Sequence, residues 1–558
     1  MLLLKGVIFM ATKTKFALSD ITRANKIFSA TRTTIETAFY GNNVREVTTV
    51  ADAYTLAAQS PKVIVTDQPI LHTDELGLPP HAKMLVDNHG AIVGRTAAAR
   101  HFINNPAENP AALNAILREA IYNNHQRSFF KTSVMVGLDE DFMLKSHLLL
   151  PSGYEFNLLS YLLNFQAVTA EYTRRYQRSV PYNEGDIYLY CDPEWHDDRY
   201  PQGLVIIDAD HNAAAVLGLR YFGELKKTTL TLAWATAHRN GYTASHGGEK
   251  AIHFSNKADK VLAFYGLSGS GKSSLTHAKH DGKFAITVLH DDAFVISRED
   301  GSSVALEPAY FDKTNDYLPG SKEAEYFTTV MNVGVTLDAN GQKTLVTEDL
   351  RNGNGRTIKS RYASTNRVDK ESAPITDIFW IMKDDSLPPV LRLDDPITAT
   401  TFGITLATKR SSAENVDPAS RDALVIEPFA NPFRAYPLSE DYHDFKELFT
   451  NHQVNCYIVN TDAFGGQDIP KKVTLGILED IIADQKTDLW RPFGNLPHIS
   501  YLPLTDYPVD FTNQDYCHRL KTRLEIRLQW LQDYAANHPH ENLPSEIKET
   551  LMSLIANV

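Results

Sequence analysis

The chain is short of several things, and each scarcity removes a class of protein. Three cysteines, Cys191, Cys456 and Cys517, are scattered through 558 residues with no C-x-x-C spacing. Such spacing supplies neither a disulfide framework nor a cysteine zinc site, and it suits a reducing cytoplasm. No apolar run approaches the roughly eighteen residues of a membrane-spanning helix. The opening MLLLKGVIFMATKTKF is apolar in flavour, but Lys5 breaks it before it reaches signal-peptide length. It reads as a frayed terminus, with Met10 an equally good start. Positive charge is in deficit, because 55 Lys plus Arg stand against 68 Asp plus Glu, a formal net charge of −13. A surface of that sign repels nucleic acid and anionic membrane, so any bound anion needs a local basic pocket. Internal repeats and low-complexity tracts are missing as well.

What is present is a globular composition, 43% hydrophobic and 22% charged, in a chain too long for one ordinary core. Two or three domains are expected. The early part mixes helical patterns such as AALNAILREAIYNNH with strand-like KVIVTD, DIYLYC and GLVIID, an α/β signature. Around residues 239–248 the composition turns to His, Gly and Ser, and the expected division falls there, into an N-terminal α/β domain over 1–235 and a C-terminal domain over 236–558. Later, RNGNGR at 351–356 has the Asn-Gly pairs of a tight hairpin. In DYCHRLKTRLEIRLQWLQDY, Leu520, Leu524, Leu528 and Leu531 recur at helical spacing and predict a packing stripe.

The most informative stretch is GLSGSGKSSL. Gly266, then four positions, then Gly271, Lys272 and Ser273 is the spacing of a phosphate-cradling loop. Glycines let consecutive backbone N–H groups turn inward around phosphate oxygens, while Lys272 reaches the β/γ-phosphates and Ser273 offers its hydroxyl to Mg²⁺. VLAFYGL before the loop reads as a strand, and SSLTHAKH after it can open a helix whose N-terminus faces the anion. The candidate nucleotide-binding residues are therefore Gly266, Leu267, Ser268, Gly269, Ser270, Gly271, Lys272, Ser273 and Ser274. Asp291 and Asp292 follow Lys272 by nineteen and twenty residues, at the end of the apolar run KFAITVLHDD. A carboxylate there can reach a cation carried by a nucleotide. Ahead of the loop stand RYFGELKK at 220–227 and ASHGGEK with His246; by themselves a lysine pair and a loop histidine are ordinary surface features.

The order of these pieces, RYFGELKK, His246, the phosphate loop, HDD and then EPAYFDKT, resembles the ATP-dependent phosphoenolpyruvate carboxykinase family. That family shows Y-x-G-E-M-K-K, a His nineteen residues after the second Lys, G-L-S-G-T-G-K-T-T and G-D-D-E. The interval from Lys227 to His246 here is also nineteen. The similarity continues through SKEAE, Arg361, LPPVLRL and NCYIVNT, from about Gly94 onward. It implies a two-domain α/β fold, the N-terminal domain binding substrate and the C-terminal one a P-loop mononucleotide-binding domain, with ATKRSSAENVDPASRD at 407–422 as a mobile lid. It implies that Tyr221, with Arg95 from GRTAAARH, lines an oxaloacetate pocket. Lys227, His246 and Asp292 would coordinate a divalent cation, commonly Mn²⁺, and Ser273 the Mg²⁺ of MgATP. Lys226 and Lys272 would neutralise the transferring phosphate, Lys313, Glu325 and Arg361 would face phosphate, nucleotide or substrate, and Lys472 stands where an adenine-stacking Arg is expected.

A lysine ligates metal only as the neutral amine, since an ammonium has no lone pair. The cation and neighbouring Lys226 would both press Lys227 toward that form. The expected function is conversion of oxaloacetate and ATP to phosphoenolpyruvate, CO₂ and ADP in a cytoplasmic monomer or small homo-oligomer, with ATP, Mg²⁺ and Mn²⁺ as cofactors and no nucleic-acid or membrane partner. Two other readings stand beside it. One is a kinase of the same fold with a different acceptor, suggested by Ala98 and Ala99 in GRTAAARH. The other is a non-catalytic nucleotide-binding regulator, suggested by PKKVTLGIL on the adenine side.

Overall fold

The computed structural model describes residues 12, 17–20, 22, 25, 27–88, 96–267, 269–317, 320–346, 355–409 and 424–558. Arg95, Ser268 and 410–422 of the expected lid lie outside them. The chain divides into two compact units, one of residues 1–240 and 304–365, the other of 241–303 and 366–558. The chain first crosses between the units at 240/241, and the segment 304–365 returns to the first unit. Nothing in local composition marks that return, because it is made by pairing with strands far upstream. Among the described residues no helix is long and apolar enough to cross a membrane.

The first unit is mixed α/β and, among the described residues, is built on two large sheets and one two-stranded sheet. The larger runs Val44–Glu46, Phe129–Asp139, Phe142–Pro151, Ile187–Asp192, Ala213–Leu217, Leu204–Asp208 and Arg100–Phe102, in that spatial order. Its central hairpin, Phe129–Asp139 against Phe142–Pro151, bulges between Val136 and Asp139. Gly137 makes this possible: its φ is +86°, and a Cβ there would lie 2.2 Å from the Phe142 carbonyl oxygen. Side chains alternate across a strand, so Ala213, Ala215 and Leu217 face one way. There they pack with Ile35 of the Ala30–Ala38 helix and Leu113, Ile116 and Leu117 of the Pro110–Asn123 helix. The Phe222–Arg239 helix, buried along most of its length, also packs on the Ile187–Asp192 and Ala213–Leu217 strands. The smaller sheet orders Tyr310–Lys313, Arg356–Lys359, Phe327–Met331, Lys83–Asp87 and Val63–Pro69. Lys343–Val346 pairs with Gly334–Leu337, and Arg356–Lys359 pairs with Tyr310–Lys313 and Phe327–Met331; residues 351–354 of the hairpin expected at RNGNGR lie outside the described ones.

The second unit is also mixed α/β. Its main sheet orders Ala285–His290, Gly248–His253, Lys260–Tyr265, Asp377–Met382, Asn455–Asn460, Val390–Leu393, Ile499–Tyr501 and Arg491–Pro492. The central strands read as continuous apolar runs because both faces are covered. On one face Leu262, Phe264, Phe379, Ile381 and Val459 meet Ile477, Leu478 and Ile481 of the Lys471–Ile482 helix. On the other, Tyr265 and Trp380 meet Phe445 of the Leu438–Asn451 helix. The expected leucine stripe lies on the Gln514–Asn537 helix with one exchange: Leu520, Leu524 and Leu531 are buried, Leu528 is half-buried, and Arg527 takes the inward position. Burial of a guanidinium is tolerated there because Asp384 lies 3.3 Å from its Nη2.

Candidate functional site

In the second unit the Lys260–Tyr265 strand leads through the glycine loop into the short Lys272–Thr276 helix. Gly271 is the N-cap with φ +104° and ψ 5°, a conformation a side-chain-bearing residue resists. At Gly266 a Cβ would lie 2.4 Å from Ser270 Oγ, so the loop closes only over a bare backbone. Thr461 Oγ1 donates to the Ser270 carbonyl at 2.8 Å and ties the loop to the end of the Asn455–Asn460 strand. Ser273 and Ser274 are exposed in the first turn of the helix, where unpaired backbone N–H groups gather.

Two expected metal residues come together beside this loop. His246 Nε2 lies 3.0 Å from Asp292 Oδ1, and the same oxygen lies 3.6 Å from Lys272 Nζ. His246 Nδ1 lies 2.6 Å from the Ala430 carbonyl oxygen, which can only accept, so Nδ1 carries the proton. Nε2 faces the Asp292 carboxylate, donating to it when the ring is doubly protonated and offering it a lone pair when it is not. Phe433 meets the imidazole edge-on at 5.3 Å between centroids and holds its plane. The adjacent aspartates diverge: Asp291 Oδ2 lies 3.3 Å from His277 Nε2, while Asp292 turns to His246 and Lys272. Among the described residues no group of three or more His, Cys, Asp or Glu side chains is placed to hold a metal ion. A His–Asp pair therefore fits a cation site only if a donor of another type completes it, as a neutral lysine would.

Lys472 is exposed in the first turn of the Lys471–Ile482 helix and lines a cavity of about 540 Å³. Phe284, Val473, Ile477 and Leu504 supply its apolar wall, and Gly476 leaves open space where a side chain would stand.

In the first unit, Tyr221 is the N-cap of the Phe222–Arg239 helix, the element that carries Lys226 and Lys227. Its ring folds back over Gly223, where a Cβ would lie 2.4 Å from two ring carbons. The glycine in RYFGELKK thus has a mechanical role. Burial pushes the Tyr221 phenol up, while the charges of Arg356 and Lys226 and a hydrogen bond from Arg356 draw it back. Arg100 grips Glu224 with two hydrogen bonds, Nε to Oε1 at 2.7 Å and Nη2 to Oε2 at 2.9 Å, which anchors the first turn of the helix.

Lys226 is 1% exposed, and its Nζ lies 2.8 Å from Oε1 of Glu307, which is 0% exposed. Asn164 Nδ2 donates to the other Glu307 oxygen at 2.6 Å. The lysine expected to face transferring phosphate therefore carries a buried counter-ion. Lys227, next along the helix, is half-buried, with its Nζ 5.9 Å from the Trp234 ring centroid. Lys313 ends the Tyr310–Lys313 strand directly opposite Arg356. Arg361 opens a short 3₁₀ turn, with Nη1 donating to Gln166 Oε1 at 3.0 Å and to the Tyr172 hydroxyl at 3.4 Å. Glu325 is exposed on the Lys322–Tyr326 turn.

The residue that sequence reasoning misses is Arg356. A turn motif absorbs it, yet it stands with Tyr221 and opposite Lys313. Its signal is weak, a single basic residue leading into the alternating stretch RTIK, whose side chains belong to a strand rather than to a loop.

Fold and geometry together define a mixed α/β protein in which a glycine-rich loop adjoins a His–Asp pair. The family model of phosphoenolpyruvate carboxykinase, in its ATP form, matches residues 77–490, about three quarters of the chain, and the chain belongs to that family. The phosphoenolpyruvate carboxykinase (ATP) of Aeropyrum pernix is 25% identical over 300 residues, covering 51% of this chain and 59% of that protein. The protein of the same name from Mesorhizobium japonicum is 25% identical over 308 residues, 52% of this chain and 53% of its own. That of Rhizobium rhizogenes is 23% identical over 395 residues, 67% of this chain and 69% of its own. The chain thus spans little more than half the length of the first two of these relatives.

Proposed function

We propose that the protein is an ATP-dependent carboxykinase that converts oxaloacetate and ATP to phosphoenolpyruvate, CO₂ and ADP. The observation that carries this reading is Asp292 Oδ1 within 3.0 Å of His246 Nε2 and 3.6 Å of Lys272 Nζ, at the mouth of the glycine loop. In this reading the second unit is a P-loop nucleotide domain. The loop amides and Lys272 hold the triphosphate, Ser273 faces its Mg²⁺, and the cavity beyond Lys472 takes the base, with a lysine in place of a planar stacking group. His246 and Asp292 would be two ligands of a divalent cation, the remaining donor being of another type. Such a cation supplies Lewis-acid stabilisation of developing negative charge.

The remaining chemistry falls to the chain's own groups. Tyr221 and Arg356 hold the carboxylate end of oxaloacetate, and Arg356 and Lys313 offer positive charge where an oxyanion develops. Loss of CO₂ leaves the electron pair on an enolate, whose oxygen forms a bond to the γ-phosphorus as the bond to the ADP oxygen breaks. Lys272 spreads the phosphoryl charge, and the loop fixes the line of attack. No general base is needed, because decarboxylation itself supplies the nucleophile. Purified full-length protein with Mn²⁺, Mg²⁺ and ATP is expected to form phosphoenolpyruvate from oxaloacetate, and Lys272→Ala to lose at least about a hundredfold in kcat. MgATP binding without phosphoenolpyruvate formation would overturn the assignment.

A further inference from the structure

Behind the phosphate loop lies a chain of three titratable side chains that the reaction above does not use. Lys250, on the Gly248–His253 strand, is fully buried. Its Nζ donates to the Leu275 carbonyl at 2.7 Å and the Ala278 carbonyl at 3.4 Å, at and just beyond the end of the Lys272–Thr276 helix. The third contact is to His280 Nε2 at 2.9 Å. His280 Nδ1 in turn lies 3.1 Å from Glu479 Oε1, while Lys283 Nζ donates to Glu479 Oε2 at 2.5 Å.

The protons can be assigned. Lys283 holds the Glu479 carboxyl below its usual range, so Glu479 accepts and His280 Nδ1 donates. Nε2 is then a lone pair that takes the third N–H of the Lys250 ammonium. Burial pushes that ammonium down, to about 7, and the charge of Glu479 works against the shift. Glu479 and Lys283 also line the cavity that begins at Lys472. Hydrogen bonds thus run without a gap from the cavity wall to the carbonyl end of the phosphate-loop helix.

We infer that Lys250 is a positioning residue for the phosphate loop, coupled through His280 and Glu479 to what occupies the cavity beside Lys472. The inference rests on the nucleotide reading of the loop. A five-residue helix has little stability of its own, so its orientation depends on what holds its ends. Fixing the carbonyls of Leu275 and Ala278 fixes the turn that presents Lys272 and Ser273. An occupant that draws Lys283 toward itself leaves more of the Glu479 charge for His280, and the hold on Lys250 strengthens.

The test is calorimetric titration of the full-length chain with MgATP, paired with hydrogen exchange at the amides of residues 272–278 in nucleotide-free protein. His280→Leu breaks the chain; His280→Gln restores one acceptor for Lys250 and one donor for Glu479. His280→Leu is expected to weaken MgATP binding about tenfold, the loss of one hydrogen bond to a charged group, and to speed exchange at residues 275–278. His280→Gln should return affinity to within about twofold of wild type, a recovery that packing alone would not produce. Unchanged affinity and exchange in His280→Leu, or no recovery in His280→Gln, overturns the inference. Should the leucine variant not fold, Glu479→Gln breaks the same chain at the cavity wall, where weaker binding with faster exchange supports the inference and no change in either overturns it. A wild-type chain that binds no MgATP counts against the nucleotide reading, and exchange at 272–278 still judges the positioning.

Discussion

Replacing Glu307 by glutamine tests how the Lys226 ammonium is held. In the wild type, Glu307 accepts from two buried donors, Lys226 Nζ at 2.8 Å on one oxygen and Asn164 Nδ2 at 2.6 Å on the other. Glutamine has a single acceptor oxygen, so its amide can serve Lys226 or Asn164 but not both, and its NH₂ is turned against the donor it abandons. One buried donor left unsatisfied costs about 1–3 kcal/mol. The Lys226 charge also loses its counter-ion at 1% exposure, and breaking a buried pair from one side costs about 3–5 kcal/mol in all. Glu307→Gln is therefore expected to lose about 3–5 kcal/mol in urea unfolding, read from the shift in midpoint at constant m. The double variant Lys226→Met, Glu307→Gln removes the stranded cation and leaves the amide oxygen free for Asn164. It should recover to within about 1.5 kcal/mol of wild type, a coupling well beyond ordinary additivity error. It should also be folded and, if Lys226 neutralises the transferring phosphate as the family pattern implies, inactive. A single variant that costs less than about 1 kcal/mol, or a double variant that costs the sum of its parts, would refute the reasoning.

Two further expectations use other parts of the site. Arg356→Lys, which removes a planar guanidinium beside Tyr221, should lower kcat/KM for oxaloacetate by about a hundredfold or more, while Arg361→Lys, which replaces a guanidinium that donates to Gln166 and Tyr172, should lose less than about tenfold; the reverse ranking in steady-state kinetics would put Arg361 rather than Arg356 on the substrate. Burial, opposed by the Ser303 hydroxyl and reinforced by Glu371, raises the Glu249 carboxyl to about 8. The folded state then binds the extra proton between the unfolded value of about 4.3 and about 8, so stability falls as pH rises through that window. Glu249→Gln should flatten the fall and stabilise the chain by a few kcal/mol at pH 8–9, with little change at pH 4; an unchanged pH profile of unfolding would show the carboxyl to be ionised in the fold.

Some of this is legible in the chain and some is not, for identifiable reasons. The glycine loop can be read because its demands are local: a strand, glycines at turning positions and a lysine at the head of a helix lie within a dozen consecutive residues. RYFGELKK is legible as a motif, but the reason for its glycine is not, since the Tyr221 ring must be seen lying over Gly223. Arg356 is hidden in a turn motif, and Arg361, the arginine that the family pattern selects, meets Gln166 and Tyr172. Leu528 gives way to Arg527 on the buried stripe because Asp384 stands ready to neutralise it. Hydropathy periodicity carries no information about a distant counter-ion.

By itself the sequence determined the α/β class, the glycine loop with Lys272 and Ser273, and the ordered motifs that place the chain in its family, because backbone propensity and residue spacing act over short distances. Only the tertiary structure decided that 304–365 returns to the first unit, that Asp292 rather than Asp291 turns to His246, and that Glu307 answers the charge of Lys226. Each of those outcomes depends on burial and on charges brought together from remote segments, and electrostatic neutrality in a dry interior is a condition on neighbours in space, which order along a chain does not specify.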